Sequence, residues 1–463
     1  MIKNLVWGPT FEEMLNPETI PKEIREKALK ARIETPLDPI NLFNINWTDH
    51  NGGMCYMVIP KELTGVSANI IVMYSKNFPT GSHKVGATYS VTMEKQLAGE
   101  IIPGLDTIVF PSTGNYGIGG SFTGPRMGYD TKIVLPELMS KERFEKIDYY
   151  GASYIKTSGC ESSVKEIYDK CWELKAQSPN NKILNQFESF GNYLFHYHVT
   201  GNSINKVVAE LKAKGVGNGR VSALVSSMGS SGTIASGDRL KQLYPETKII
   251  GLEPLQCPTL FNNGFGDHDI QGIGDKHVTW IHNVMNMDAM MCVDDMESKK
   301  GLQLLTSDVG KNYLVDVAGM SKENVSMLSQ ILGISGVCNL IGAIKTAKYY
   351  EMTENENIFT ICTDTIDRYH SVMEALDNEF GIMDKTEAAV RYNCIFKNVK
   401  LDYIQEGTYA TRKRWHNLKY YTWVEQQGKT VEELNAQKSQ DYWLEKQSKI
   451  QSIDEELKDA RGF

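Results

Sequence analysis

The feature that most constrains this chain is an order that begins at Ala68: a short apolar run, a glycine-bearing loop, then a helix, repeated several times. ANIIVMY is followed by the loop SKNFPTGSHK and the helix ATYSVTMEKQLAGE. DTIVF leads into PSTGNYGIGG, and TKIVL leads into the helix SKERFEKIDYY, a stop at Gly151 and the strand SYIKT. SALVSS, the loop MGSSGT, the helix IASGDRLKQLY and the strand TKIIGLEP repeat the order, and LGISGVCNLIGAIKTAKYY before NIFTICTD closes it. Runs of β-branched residues without polar alternation are strands covered on both faces, so an α/β fold with parallel sheets is expected. Ligands of such sheets sit beyond the carboxyl ends of the strands, where these loops lie.

Composition narrows the partners. Of 463 residues, 49 are Lys or Arg and 57 are Asp or Glu, a net charge of −8. Nucleic-acid readers need a basic footprint, so none is expected to bind. No run approaches the ~18 apolar residues of a membrane span. The first fifteen residues meet Glu12 and Glu13 before any apolar signal core forms, so a cytoplasmic enzyme is expected. The eight cysteines lack any C-x-x-C pair and read as reduced thiols. His196 and His198 lack the i, i+4 spacing of a helical metal pair, and no metal is expected. Beyond Asp377 the chain turns charged and aromatic, with a T-x-x-E capping box at Thr430–Glu433. Arg412, Lys413 and Arg414 beside Trp415, Tyr420, Tyr421 and Trp423 read as an arm packing on the body or on a partner subunit, with an RNA-binding strip as the alternative.

Three loops carry different chemistry. MGSSGT offers backbone N–H groups and hydroxyls at a helix start, which suits a phosphate, and it lacks the Lys of a Walker loop. NFPTGSHK ends in Lys84, whose amine becomes a Schiff-base nucleophile where burial or a nearby cation lowers its pKa. STGNYG presents hydroxyls, an amide and N–H donors, as capture of a carboxylate requires.

Together these motifs resemble the fold-type II pyridoxal phosphate enzymes, specifically the cysteine synthase and cystathionine β-synthase group. ETPL, NFPTGSHK, PSTGNYGI, NQFESFGN, MGSSGT, GLEP, IQGIG, GIS and DRY occur in that family's order across residues 30–375. The resemblance implies two parallel-sheet domains with N- and C-terminal helical extensions: residues 1–105 and 206–376 as the large cofactor-binding domain, 106–205 as a small mobile substrate domain, and 377–463 as a C-terminal helical extension. It implies pyridoxal 5′-phosphate as cofactor, with Lys84 forming the internal aldimine and Asn115 bonding the ring hydroxyl. Gly229, Ser230, Ser231, Gly232 and Thr233 hold the phosphate, and Ser335 meets the pyridine nitrogen, with Thr363 or Asp364 as alternatives. Ser112, Thr113, Tyr116 and Gln186 take the substrate carboxylate. A hydroxyl at the pyridine nitrogen favours prompt loss of a β-substituent.

Asp238, where the family usually has a small residue, is the expected base for adding water to the aminoacrylate, with a solvated acid near a helix start as the plain alternative. His83 is a candidate for the phosphate side, and His277, after GIGDK, for a substrate contact. The expected reaction is β-elimination or replacement on the small amino acid L-cysteine, releasing sulfide, with serine as the favoured product. Cysteine synthase, a pyruvate-forming desulfhydrase or serine/threonine dehydratase, and an inactive cofactor-binding subunit are the alternatives. A homodimer is the expected assembly.

Overall fold

The computed structural model describes residues 6–112, 114–160 and 162–462. Strands β1 (Tyr56–Val58), β2 (Asn69–Tyr74), β7 (Ala223–Ser227), β8 (Lys248–Pro254), β9 (Ala289–Val293), β10 (Asn357–Cys362) and β11 (Ile404–Glu406) form a sheet in the order β1-β2-β10-β7-β8-β9-β11. Strands β3 (Thr107–Pro111), β4 (Asp130–Pro136), β5 (Ser153–Thr157) and β6 (Asn181–Ile183) form a second sheet in the order β5-β4-β3-β6. Every pairing in the second sheet is parallel, as is the run from β2 through β9 in the first. Both edges of the larger sheet are antiparallel: β1 on β2 and β11 on β9. Edge strands need cover on fewer sides, so polar and short segments suffice there.

The central strands are buried along their length because their side chains are apolar on both faces: β7, β9 and β10 have no exposed position. The helix Lys84–Leu97 begins at the end of the loop after β2, and the helix Asn115–Arg126 after β3. The two pack closely because Gly119 has no side chain; a Cβ there would stand 3.0 Å from the carbonyl oxygen of Lys84. That contact sets the helix after β3 of one sheet against the start of the helix after β2 of the other, where Lys84 lies.

The C-terminal extension is mostly helical, but it also supplies β11, a strand that its charged composition did not announce. Its tryptophans Trp415, Trp423 and Trp443 are buried against the body of the same chain, whereas Tyr409, Tyr420 and Tyr421 are exposed. Trp423 donates to the Val278 carbonyl at 2.8 Å, and Lys419 donates to the carbonyls of Trp280 (3.0 Å) and His282 (2.6 Å) and to Gln437 (2.6 Å). Arg412 pairs with Asp288 at 3.1 Å and Arg414 with Gln405 at 2.6 Å, so these two arginines of the basic cluster are spent on intramolecular packing, as the packing-arm reading expects. Farther on, Asp454 accepts from the backbone of Phe11 (2.7 Å) and Glu12 (3.0 Å), and Arg461 pairs with Glu13 at 2.7 Å, which clasps the two ends of the chain together. The capping box at Thr430 and Glu433 is formed as the spacing predicts. Of the eight thiols, Cys394 is exposed, Cys160 is half-buried and six are buried.

Candidate active site

Lys84 lies where the two sheets face each other. Its Nζ donates to Ser230 Oγ at 2.7 Å and to Gln186 Oε1 at 3.3 Å, which brings together the loops after β2, β6 and β7. Asn192 secures this junction by donating to Ser230 Oγ and to the carbonyl of Gln186, both at 3.0 Å. It belongs to the NQFESFGN motif but was not singled out in the sequence, where an amide six residues after Gln186 carries no mark of its own.

The loop Gly229–Thr233 precedes a short turn, Thr233–Ala235, and the helix Ser236–Leu243. Ser231 takes a left-handed conformation (φ 60°), and Gly232 a right-handed one. Such an alternation turns successive N–H groups to a common side and makes an anion-binding concavity. A Cβ on Gly232 would collide with Asn192, and one on Gly229 would stand 3.2 Å from the Gly272 carbonyl, so only glycine closes the loop this tightly. Thr233 Oγ1 is 3.0 Å from His83 Nε2. Burial and the neighbouring Lys84 ammonium push the His83 imidazole down to about 3, so it is neutral and adds no charge to the phosphate side. The donor set and its concavity fit a phosphate ester, and the amine at their edge fits an aldehyde on the same ligand.

The loop and helix start after β3 carry the residues expected to take the substrate carboxylate. Tyr116 is turned into the core, where its hydroxyl donates to the Leu184 carbonyl at 3.1 Å and its ring meets Phe110 edge-on; the side chain is 1% exposed and does not face the cleft. An aromatic ring at the second position of a buried helix gains more from packing than from a wet cleft. Ser112 Oγ accepts from Gly114 N (2.9 Å) and Gly117 N (2.6 Å) and so shapes the loop from within, its own O–H remaining for a ligand. Gln186 is in the cleft, and Thr113 lies outside the described residues.

Around the expected pyridine position, Ser335 Oγ and Thr363 Oγ1 are 2.6 Å apart, so the two hydroxyls form one pair. Asp364 is engaged elsewhere: its Oδ2 accepts from Asn115 Nδ2 (2.6 Å) and Tyr369 (2.7 Å) and lies 3.7 Å from Arg143 Nη2. His277 packs edge-on against Tyr168 and Phe187 and tilted against Trp423, with Nε2 3.3 Å from the Tyr168 hydroxyl, which makes it part of an aromatic cluster.

Asp238 lies in the helix that follows the Gly229–Thr233 loop. Its Oδ2 accepts from Tyr193 (2.6 Å) and Asn283 (3.0 Å), and its Oδ1 from Asn286 (2.5 Å). Tyr193 in turn accepts from Gln447 of the C-terminal arm at 2.7 Å. With both oxygens engaged, the carboxylate ties a helix, a turn and the arm together.

A different acid occupies the cleft. Asp275, directly after IQGIG, is buried, and neither carboxylate oxygen has a hydrogen-bond partner among the described residues. A Cβ built on Gly229 would be 3.6 Å from its Oδ2. Burial pushes the carboxyl up to about 7, with the Lys84 ammonium pulling the other way. An unpartnered buried carboxyl carries a desolvation cost that packing alone does not explain. The sequence signal was an acid directly following a glycine turn already recognised as part of the site.

A family model described as pyridoxal-phosphate dependent enzyme matches residues 61–319. The chain is 29% identical over 294 residues to a probable cysteine synthase of Bacillus subtilis, spanning 63% of this chain and 85% of that protein. It is 29% identical over 318 residues to the cystathionine beta-synthase of Apis mellifera, spanning 67% of this chain and 57% of that protein. Its fold matches, with a TM-score of 0.56 at 24% identity over 73% of this chain and 89% of the other, a hydrogen sulfide-producing enzyme of Fusobacterium nucleatum solved as an aspartate-to-asparagine mutant with an α-aminoacrylate intermediate. A chain that matches this family model over more than half its length, and that folds Lys84 against a glycine–serine anion loop, belongs to the pyridoxal-phosphate dependent enzymes.

Proposed function

We propose that this enzyme runs β-elimination and replacement on L-cysteine, converting L-cysteine and water to L-serine and hydrogen sulfide. Bound at Lys84 and the Gly229–Thr233 loop, pyridoxal phosphate supplies the electron sink that makes the α-proton acidic and the β-bond labile. The chain supplies the rest. Lys84 Nζ, steered by Ser230 and Gln186, is the group placed to take the α-proton. The Ser335–Thr363 hydroxyl pair offers the ring nitrogen a neutral partner, which favours loss of the β-substituent over prolonged charge storage.

The observation that carries the water-adding reading is Asp275: buried, unpartnered and close to both Lys84 and the phosphate loop. A carboxyl that holds its proton near neutrality serves both halves of the reaction. It gives the proton to sulfur as the C–S bond breaks, and the resulting carboxylate takes a proton from water as the C–O bond forms, so atoms and charge balance over the cycle. Asp275, beside Gly229 of the anion-binding loop, would hold its proton more firmly with a phosphate dianion held there.

The likeness to a probable cysteine synthase favours a second reading, in which O-acetylserine and sulfide give cysteine. The test is to incubate the holoenzyme with L-cysteine alone and identify the products. Sulfide and serine in equal amounts are expected. Pyruvate in place of serine overturns the water-adding step, and no sulfide from cysteine, with cysteine formed from O-acetylserine and sulfide, overturns the direction. A homodimer and a cytoplasmic site of action complete the reading, the first measured by light scattering of the holoenzyme and the second by cell fractionation.

A further inference from the structure

Asn115 sits between two fully buried ionic side chains of opposite kind. Arg368 Nε donates to its Oδ1 at 2.9 Å, and its Nδ2 donates to Asp364 Oδ2 at 2.6 Å. Both Arg368 and Asp364 are 0% exposed. A guanidinium can only donate, and a carboxylate can only accept, so the two ends of the amide cannot exchange. In an isolated Asn the two orientations differ little in energy; here the wrong one would set N–H against N–H and oxygen against oxygen, each buried.

The clamp is itself held. Arg368 Nη2 donates to the Thr80 carbonyl at 2.5 Å, in the loop that leads to Lys84. Tyr369 donates to Asp364 at 2.7 Å, and Arg143 donates to the Tyr369 oxygen at 2.9 Å. Asn115 Nδ2 lies 3.6 Å from where a Cβ on Gly272 would stand, and the glycine leaves that space open. One N–H of the amide is spent on Asp364, and the second has no acceptor among the described residues.

We infer that Asp364 and Arg368 are positioning residues that lock Asn115 with an N–H, and not its carbonyl, toward the ring oxygen of pyridoxal phosphate. An N–H stabilises that oxygen as an anion, whereas a carbonyl would require it to keep its proton. The clamp therefore sets the ionisation state of the bound cofactor before any substrate arrives. The inference rests on the family and on Asn115 meeting the ring oxygen, and is independent of which amino acid is the substrate.

The test is the visible spectrum of the resting holoenzyme. Asp364→Asn can donate or accept, so it no longer dictates the orientation. The ratio of long-wavelength to short-wavelength absorbance of the bound cofactor should fall about tenfold, the scale of one charge-assisted hydrogen bond. Arg368→Gln, which loses the obligate donor on the other side, should lower it in the same direction. Glu142→Gln, which weakens the neighbouring contact to Ser371 (2.7 Å) without touching Asn115, should leave the ratio unchanged. Spectra are compared only after titration with pyridoxal phosphate to saturation, so failure to bind is seen separately from a changed ratio. If Asp364→Asn does not fold, Arg368→Gln against Glu142→Gln decides alone. Unchanged ratios in the variants that bind, or an equal fall in Glu142→Gln, overturn the inference.

Discussion

Replacing Asp275 by Asn should stabilise the cofactor-free protein, and by an amount that depends on pH. The carboxyl titrates at 3.8 in an unfolded chain and at about 7 in the fold. Between these values the folded protein keeps a proton that the unfolded chain has released, so stability falls as pH rises through the window and the loss is complete above pH ~7. The ~3 pH units are worth ~4 kcal/mol, at ~1.4 kcal/mol each. At pH ~5 only ~1.6 kcal/mol of this has accrued. Asn does not titrate, so the stability difference between variant and parent should widen by ~2–3 kcal/mol from pH 5 to pH 8, all other carboxylates cancelling in the comparison. Urea unfolding of both apo proteins across this range measures it. In the holoenzyme the same substitution should lower sulfide release from cysteine by ~10²-fold or more, the usual contribution of a positioned acid–base group. A stability difference that stays flat from pH 5 to pH 8 would refute the argument, because it would mean that the carboxyl is not raised and has a partner or solvent after all.

Asp238→Asn keeps the shape but removes an acceptor shared by Tyr193, Asn283 and Asn286; it should cost ~1–3 kcal/mol in urea unfolding and leave sulfide release per folded molecule within a few-fold of the parent. Lys84→Ala should bind pyridoxal phosphate without forming an adduct that borohydride can fix, read as the absence of a mass increase. Trp423→Ala should cost ~3–5 kcal/mol of stability, because the ring is wholly buried against Trp280 and its N–H holds the Val278 carbonyl. The same loss should appear as weaker activity, since Val278 is three residues from Asp275.

What could be read in the sequence was local. Lys84 and the Gly229–Thr233 loop are marked by residue types that do one thing within a few positions: glycines where the backbone must turn sharply, hydroxyls and free N–H groups where an anion sits, an amine at the edge. The strands were legible because parallel sheets demand apolar side chains on both faces. What the sequence leaves open are directions that only tertiary packing decides. Tyr116 sits in a loop rich in binding groups, and its ring still turned inward to Phe110. Asp238 looked exposed to a cleft, but the groups that consume its charge are 45 and 48 residues away along the chain, and no local pattern encodes them. Asp275 was overlooked for the opposite reason: it stood inside a recognised motif, but an acid after a glycine turn is usually solvated, and only its burial without a partner sets it apart.

The C-terminal arm follows from the same constraint. Burial raises the Asp275 pKa, and the segment that carries it is poor in regular structure: between β8 and β9 only a four-residue helix and a short turn are formed. Loops of this length need outside support to stay ordered. The arm gives it at Val278, Trp280, His282 and Asn283 through Trp423, Lys419, Gln437 and Gln440. Lys419 is buried deeply enough that its amine is pushed well below its ordinary pKa, a cost that three hydrogen-bond acceptors around it offset. Such an arrangement is unfavourable for mere surface decoration and is consistent with an arm whose work is to hold a reactive carboxyl away from water. Lys419→Met should therefore leave the arm folded but loosen residues 278–283, seen as faster amide hydrogen exchange there, and it should lower the Asp275 pKa toward its ordinary value, with the pH-dependent stability difference of Asp275→Asn shrinking in the Lys419→Met background. If exchange quickens while that difference is untouched, the arm supports the loop without governing the acid.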